Sequence, residues 1–186
     1  MLAANVFFPV KTLACACCAE KGFYSISYNK PTAYELGEIN KLKFDRAANL
    51  YLTAAGEDAI KGISGISETY NLVGSFLNPN WRLTFKNVNK TGVLTLPMPL
   101  KMLRYKVDTH NTETPGEPVL YKEWRFEGTV RGTGIFQNGI VPPTKYFLVL
   151  QGRGNACDNA SDFTDWRLEI TGRKAGYAFY GKLNSE

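Results

Sequence analysis

A chain of 186 residues, 44% apolar and 21% charged, is too short for two ordinary domains and too hydrophobic for a disordered one, so a single globular domain is expected. Its net charge of +5 is evenly spread, with ten Lys and Arg against seven Asp and Glu in residues 1–93 and twelve against ten in residues 94–186. Without a cluster of cations, this balance argues against a nucleic-acid partner, and the lack of any run of about 18 apolar residues argues against a membrane-spanning helix.

The first 22 residues stand apart. Leu2 to Val10 is apolar in the manner of an export signal, although no basic residue precedes it and Asn5 and Pro9 interrupt it. Cys15, Cys17 and Cys18 follow within four residues. We divide the chain into a cysteine-containing segment, 1–22, packed on or leading into a barrel domain, 23–186. A secreted or periplasmic location is the matching expectation.

From residue 23 onward the chain reads as strands. Ten Tyr, eleven Phe, three Trp, 17 Gly and nine Pro favour pleated strands and tight turns over long helices. Phe23 to Tyr28, Ile39 to Phe44, Leu50 to Thr53 and Tyr70 to Phe76 are the early strands, with a short helical turn near Asp58 to Ile63. Alternation is cleaner further on. Trp81, Leu83 and Phe85 oppose Arg82, Thr84 and Lys86, and Leu103, Tyr105 and Val107 oppose Arg104, Lys106 and Asp108. Within 124–131, Trp124, Phe126 and Val130 oppose Arg125, Glu127, Thr129 and Arg131. Tyr146 to Leu150 is apolar on both faces and is expected to be the most buried strand. Trp166, Leu168 and Ile170 alternate with Arg167, Glu169 and Thr171, and Tyr177 to Lys182 forms a last strand. Turn chemistry at Asn78-Pro79-Asn80, Thr91-Gly92, Pro97 with Pro99, Pro115-Gly116, Asn138-Gly139 and Pro142-Pro143 separates them.

Short strands without long intervening helices predict an all-β fold. We expect one closed or nearly closed antiparallel barrel of about 8–10 strands, with a β-sandwich as the alternative.

Chemistry is sparse. The three clustered cysteines and the distant Cys157 suit a disulfide between the N-terminal segment and the loop at Cys157, or a thiolate site for Cu(I) or Zn. The spacing is not that of a zinc ribbon, and a lipid anchor at Cys15 has only a short apolar leader. The stretch 155–165 gathers Asn155, Asp158, Asn159, Asp162 and Asp165, which reads as Asx turns in a surface loop rather than as a calcium loop, because the spacing lacks the alternation of an EF-hand. The single histidine, His110, lies in a polar turn, and no G-x-S-x-G elbow is present. Glu123, Glu127 and Asp108 are the carboxylates a glycosidase would need, but Glu123 and Glu127 alternate with apolar residues on a wet face. Enzymatic activity is therefore not the leading expectation, and no cofactor is specified.

Aromatic residues carry the functional expectation. Trp81, Phe85, Tyr105, Trp124, Phe126 and Trp166 lie on apolar strand faces that a barrel would turn inward, where they form either a packed core or the lining of a ligand cavity. The leading function is an exported binding module for one small apolar or amphipathic ligand. Its alternatives are a thiolate metal or redox protein built on Cys15, Cys17, Cys18 and Cys157, and a structural or interaction domain without a ligand. Nothing in the sequence specifies the oligomeric state.

Overall fold

The computed structural model describes residues 24–53, 56–76, 79–109, 120–155 and 157–185. The cysteines of the N-terminal segment and His110 lie outside these residues. The described chain is nearly all β and forms one antiparallel sheet, curled into a half-barrel.

Eleven strands make up the sheet: β1 (Tyr24–Asn29), β2 (Leu42–Leu50), β3 (Thr69–Ser75), β4 (Asn80–Lys86), β5 (Thr91–Pro97), β6 (Met102–Asp108), β7 (Leu120–Thr129), β8 (Arg131–Gly134), β9 (Lys145–Arg153), β10 (Phe163–Thr171) and β11 (Gly176–Ser185). They lie in the order β1-β6-β7-β9-β10-β11-β2-β3-β4-β5-β8. Between β7 and β8 only Val130 intervenes, and its N–H donates to the Thr144 carbonyl at 3.1 Å. Starting from β7, the ladder passes through β9 and around to β5, then meets β8, the continuation of the strand on which it began. This return curls the sheet, while β6 and β1 extend it beyond β7.

Alternation sets which side chains enter the hollow of the curl. Trp81, Leu83 and Phe85 of β4 point inward, opposite Leu96, Leu94 and Gly92 of β5. Asn87 closes the hairpin between these strands, its Oδ1 accepting from the Lys90 N–H at 3.0 Å. Trp124 and Trp166 flank Leu150 in one row across β7, β9 and β10. On β9, Leu148 and Leu150 are buried inside; on the outer face Val149 is buried between its cross-strand neighbours Arg125 and Arg167, while Phe147 is only half-buried. Burying each such side chain stabilises the fold by roughly 1.5–3 kcal/mol before conformational entropy is counted.

The region read as a strand over Ile39–Phe44 begins instead as helix α1 (Ala33–Lys41) and turns into β2 at Leu42. A capping box starts the helix: the Thr32 hydroxyl accepts from the Glu35 N–H at 3.2 Å, and the Glu35 carboxylate accepts from the Thr32 N–H at 2.7 Å. Leu50 ends β2, so the short strand expected over Leu50–Thr53 is a continuation into irregular chain. The helical turn expected near Asp58 is a single 3₁₀ turn at Glu57–Ala59. Strand β5 runs through Thr91-Gly92 and ends at Pro97, residues whose chemistry predicts turns.

Candidate functional site: an outer groove beside a packed interior

Five of the six rings named from the sequence share the interior. Trp81, Phe85, Trp124, Phe126 and Trp166 are each no more than 1% exposed. They meet one another and neighbouring rings at short range: Trp81 with Phe126 at 4.9 Å, Trp124 stacked on Phe163 at 4.0 Å, Phe44 edge-on to Trp166 at 5.2 Å, and Phe85 against Phe179 at 4.4 Å. Ring pairs at these distances gain from edge and offset geometry in addition to burial. The indole N–H groups of Trp124 and Trp166 have no hydrogen-bond partner among the described residues.

Tyr105 is separate from these five. Its strand, β6, alternates as expected, but Leu103, Tyr105 and Val107 face away from the hollow. Arg104 and Lys106 take the inner side because acidic partners await them there. Arg104 donates to the Glu35 carboxylate of α1, with one contact at 2.7 Å, and Lys106 pairs with Asp158 at 2.8 Å. Burial by itself would push Glu35 up, but the Arg104 guanidinium and the Thr32 donors hold it below its ordinary value. Glu38 is also lowered: its burial is outweighed by Lys41 and by the Ala160 N–H, which donates to it at 2.8 Å.

The outward faces of β1, β6, β7 and β9 consequently form an aromatic band. Tyr24, Ile26 and Tyr28 of β1 stand opposite Val107, Tyr105 and Leu103 of β6. Tyr24 stacks on Tyr105 at 6.2 Å, Tyr105 meets Tyr121 edge-on at 6.3 Å, and the Arg125 guanidinium lies 5.4 Å from the Tyr105 ring centre. Arg125 is also ion-paired with Glu123, which accepts from the Tyr121 hydroxyl. Burial and the Glu123 carboxylate together push the Tyr121 hydroxyl well above the usual tyrosine range.

At one end of this band the surface opens into two adjoining hollows. One, of about 350 Å³, is lined by Tyr28, Leu103, Arg125, Phe126, Glu127 and Phe147. Its neighbour, of about 490 Å³, shares Tyr28 and Glu127 and adds Lys101, Lys145, Thr129 and the Pro99-Leu100 corner. Topology produces the groove, because β1 is the last strand of the sheet and residues between β5 and β6 line the hollow beside it. The outward residues of β6 were visible as an apolar stripe in the sequence, but nothing local indicated that this stripe faces out.

The oxygen-rich stretch at 155–165 is occupied by protein partners. Asn155 Oδ1 accepts from the Leu120 N–H at 3.2 Å, Asn159 caps a 3₁₀ turn through the Ser161 N–H at 2.9 Å, and Asp165 pairs with Lys182 at 2.6 Å. Asp162 pairs with the buried Lys122. Among the described residues no group of three ligating side chains could hold a metal ion. The carboxylates named from the sequence are divided: Glu123 and Glu127 lie outside on β7, and Asp108 is buried at the end of β6. Cys157 lies in the loop from β9 to β10, where its carbonyl accepts from Lys122 Nζ at 2.8 Å. No helix among the described residues is long and apolar enough to cross a membrane.

Comparison with protein families, curated proteins and solved structures finds no match.

Proposed function

We propose that the protein is an exported binding module that takes one small apolar or amphipathic molecule in the outer groove between β1, β6, β7 and β9. The observation that carries this proposal is the pair of adjoining hollows of about 350 and 490 Å³, walled by Tyr28, Leu103 and Phe147 and edged by charge. Their volumes suit a ligand site, which typically measures about 300–1,000 Å³. The interior, by contrast, is filled by rings packed on rings. A neutral fluorescent probe, N-phenyl-naphthylamine, tests the site. Saturable enhancement at one probe per chain, lost in Leu103→Glu and Phe147→Glu but kept in Tyr51→Ala, is the expected result. Undiminished enhancement in the two glutamate variants, with native circular dichroism, would overturn it.

Export goes with a disulfide from Cys157 to one of Cys15, Cys17 and Cys18, since such bridges persist in oxidising compartments. Reach supports the bridge. Tyr24, Val107, Tyr121 and Arg153 face one another across β1, β6, β7 and β9. Three strand spacings amount to roughly 14 Å. Cys18 precedes Tyr24 by six residues, and an extended chain of that length covers roughly 20 Å. Alkylation followed by intact-mass measurement, with and without reductant, should find thiols released by reduction. Four thiols alkylated before reduction would exclude the bridge.

A further inference from the structure

We infer that the groove takes a free single-chain amphiphile with an anionic head, of the fatty-acid type, its chain on Tyr28, Leu103 and Phe147 and its head between Lys101 and Lys145. This rests on the binding function proposed above and narrows it to a ligand class. The smaller hollow is bounded mainly by apolar side chains, with Arg125 and Glu127 at its edge, whereas the larger one adds two cations. These ammonium groups, Lys101 and Lys145, face one carboxylate, Glu127, around the larger hollow. Arg125 adds nothing to this balance because Glu123 already neutralises it.

Neither lysine is held in an ion pair among the described residues. Lys101 Nζ sits 5.4 Å from the centre of the Tyr28 ring, so one cation marks the junction where the apolar wall gives way to the charged end. Lys145 stands on β9 opposite Thr129, whose hydroxyl supplies a further donor at the same end. Glu127 occupies the boundary between the two hollows. Its carboxylate opposes an anionic head, so neutralising it should strengthen binding.

The experiment is displacement of N-phenyl-naphthylamine by laurate, by the neutral monolaurin and by dodecylamine, each below its critical micelle concentration at neutral pH. Laurate is expected to displace the probe at a concentration about five-fold or more below that of dodecylamine, the effect of one nearby charge in a watery setting. Lys101→Gln and Lys145→Gln should each weaken laurate by about five-fold and leave monolaurin unchanged, while Glu127→Gln should tighten laurate. Equal or better displacement by dodecylamine, or lysine variants that leave laurate untouched, would overturn the anionic head while the groove stands. Failure of the probe itself to bind removes the groove, and this inference with it. Adsorption to phosphatidylglycerol vesicles without displacement by laurate would assign the cations to a lipid surface and refute the free ligand.

Discussion

Lys122 and Asp162 form an ion pair inside the curl of the sheet, with the lysine side chain only 1% exposed and the aspartate 9%. The same ammonium holds the Cys157 carbonyl at 2.8 Å, so one cation joins β7 to the middle and the end of the loop that leads into β10. Removing one partner strands the other charge in a dry setting, at a cost of about 3–5 kcal/mol. Lys122→Met should therefore lower the thermal midpoint markedly, and the double variant Lys122→Met with Asp162→Leu should regain part of the loss. Urea unfolding of the wild type, both single variants and the double variant checks this. A double variant no better than its singles would show that the pair is not the source of the cost.

A second buried pair predicts a pH dependence. Glu35 is held below its ordinary value of 4.5, burial pushing it up and Arg104 with Thr32 outweighing burial. A lowered carboxyl stabilises the fold fully above that ordinary value, and the contribution fades as pH falls through the folded value. In Arg104→Gln only Thr32 remains to offset burial. The deficit of this variant relative to wild type should then be largest at neutral pH and shrink in acid, as read from thermal midpoints across a pH series. A deficit constant with pH would assign Arg104 a packing role only.

Gly134 ends β8 at a φ of 62°, and a Cβ there would collide with the Thr91 carbonyl oxygen. Both the left-handed backbone and the close approach of β5 demand glycine. Gly134→Ala should cost more than about 1 kcal/mol. It should also raise amide exchange at Val93 and Thr95, where β5 meets β8. Unchanged exchange there would mean that the curl does not depend on this seam.

Neighbours on β11 offer a test of facing. Phe179 touches Tyr70 at 5.5 Å, Phe85 at 4.4 Å and Phe136 at 6.0 Å, whereas Tyr180 is 46% exposed. Phe179→Ala should cost about 3–5 kcal/mol. Tyr180→Ala should stay within about 0.5 kcal/mol of wild type. Chemical denaturation of the two variants side by side distinguishes them, and comparable losses would contradict the alternation of this strand.

Much of the architecture is legible without coordinates because a period of two is a local property. Trp81, Leu83 and Phe85 declare a half-buried strand, as do Trp166, Leu168 and Ile170, and both sets point inward. The doubly apolar Tyr146 to Leu150 marks a strand whose inner face is buried and whose outer face buries Val149 and half-buries Phe147. Local signals also exist for an element that the period of two does not reveal. Thr32 and Glu35, three residues apart, spell a capping box ahead of α1. In β5, Gly92, Leu94 and Leu96 keep the inward period, but Gly92 and Pro97 read as turn residues.

Alternation determines that two faces differ, and the chain by itself determined that much for nearly every strand. Which face looks inward depends on what the rest of the molecule brings to each side, and only the tertiary structure decided it. On β6 the ordinary assignment is reversed: Glu35 from α1 and Asp158 from the loop before β10 reach the hollow and satisfy Arg104 and Lys106 there, leaving Leu103, Tyr105 and Val107 to face out beside β1. Those partners lie 69 and 52 positions away along the chain (104 − 35 and 158 − 106), a distance at which no local pattern operates. The groove exists because ion pairs made on the inner side of a strand leave its apolar side to the surface.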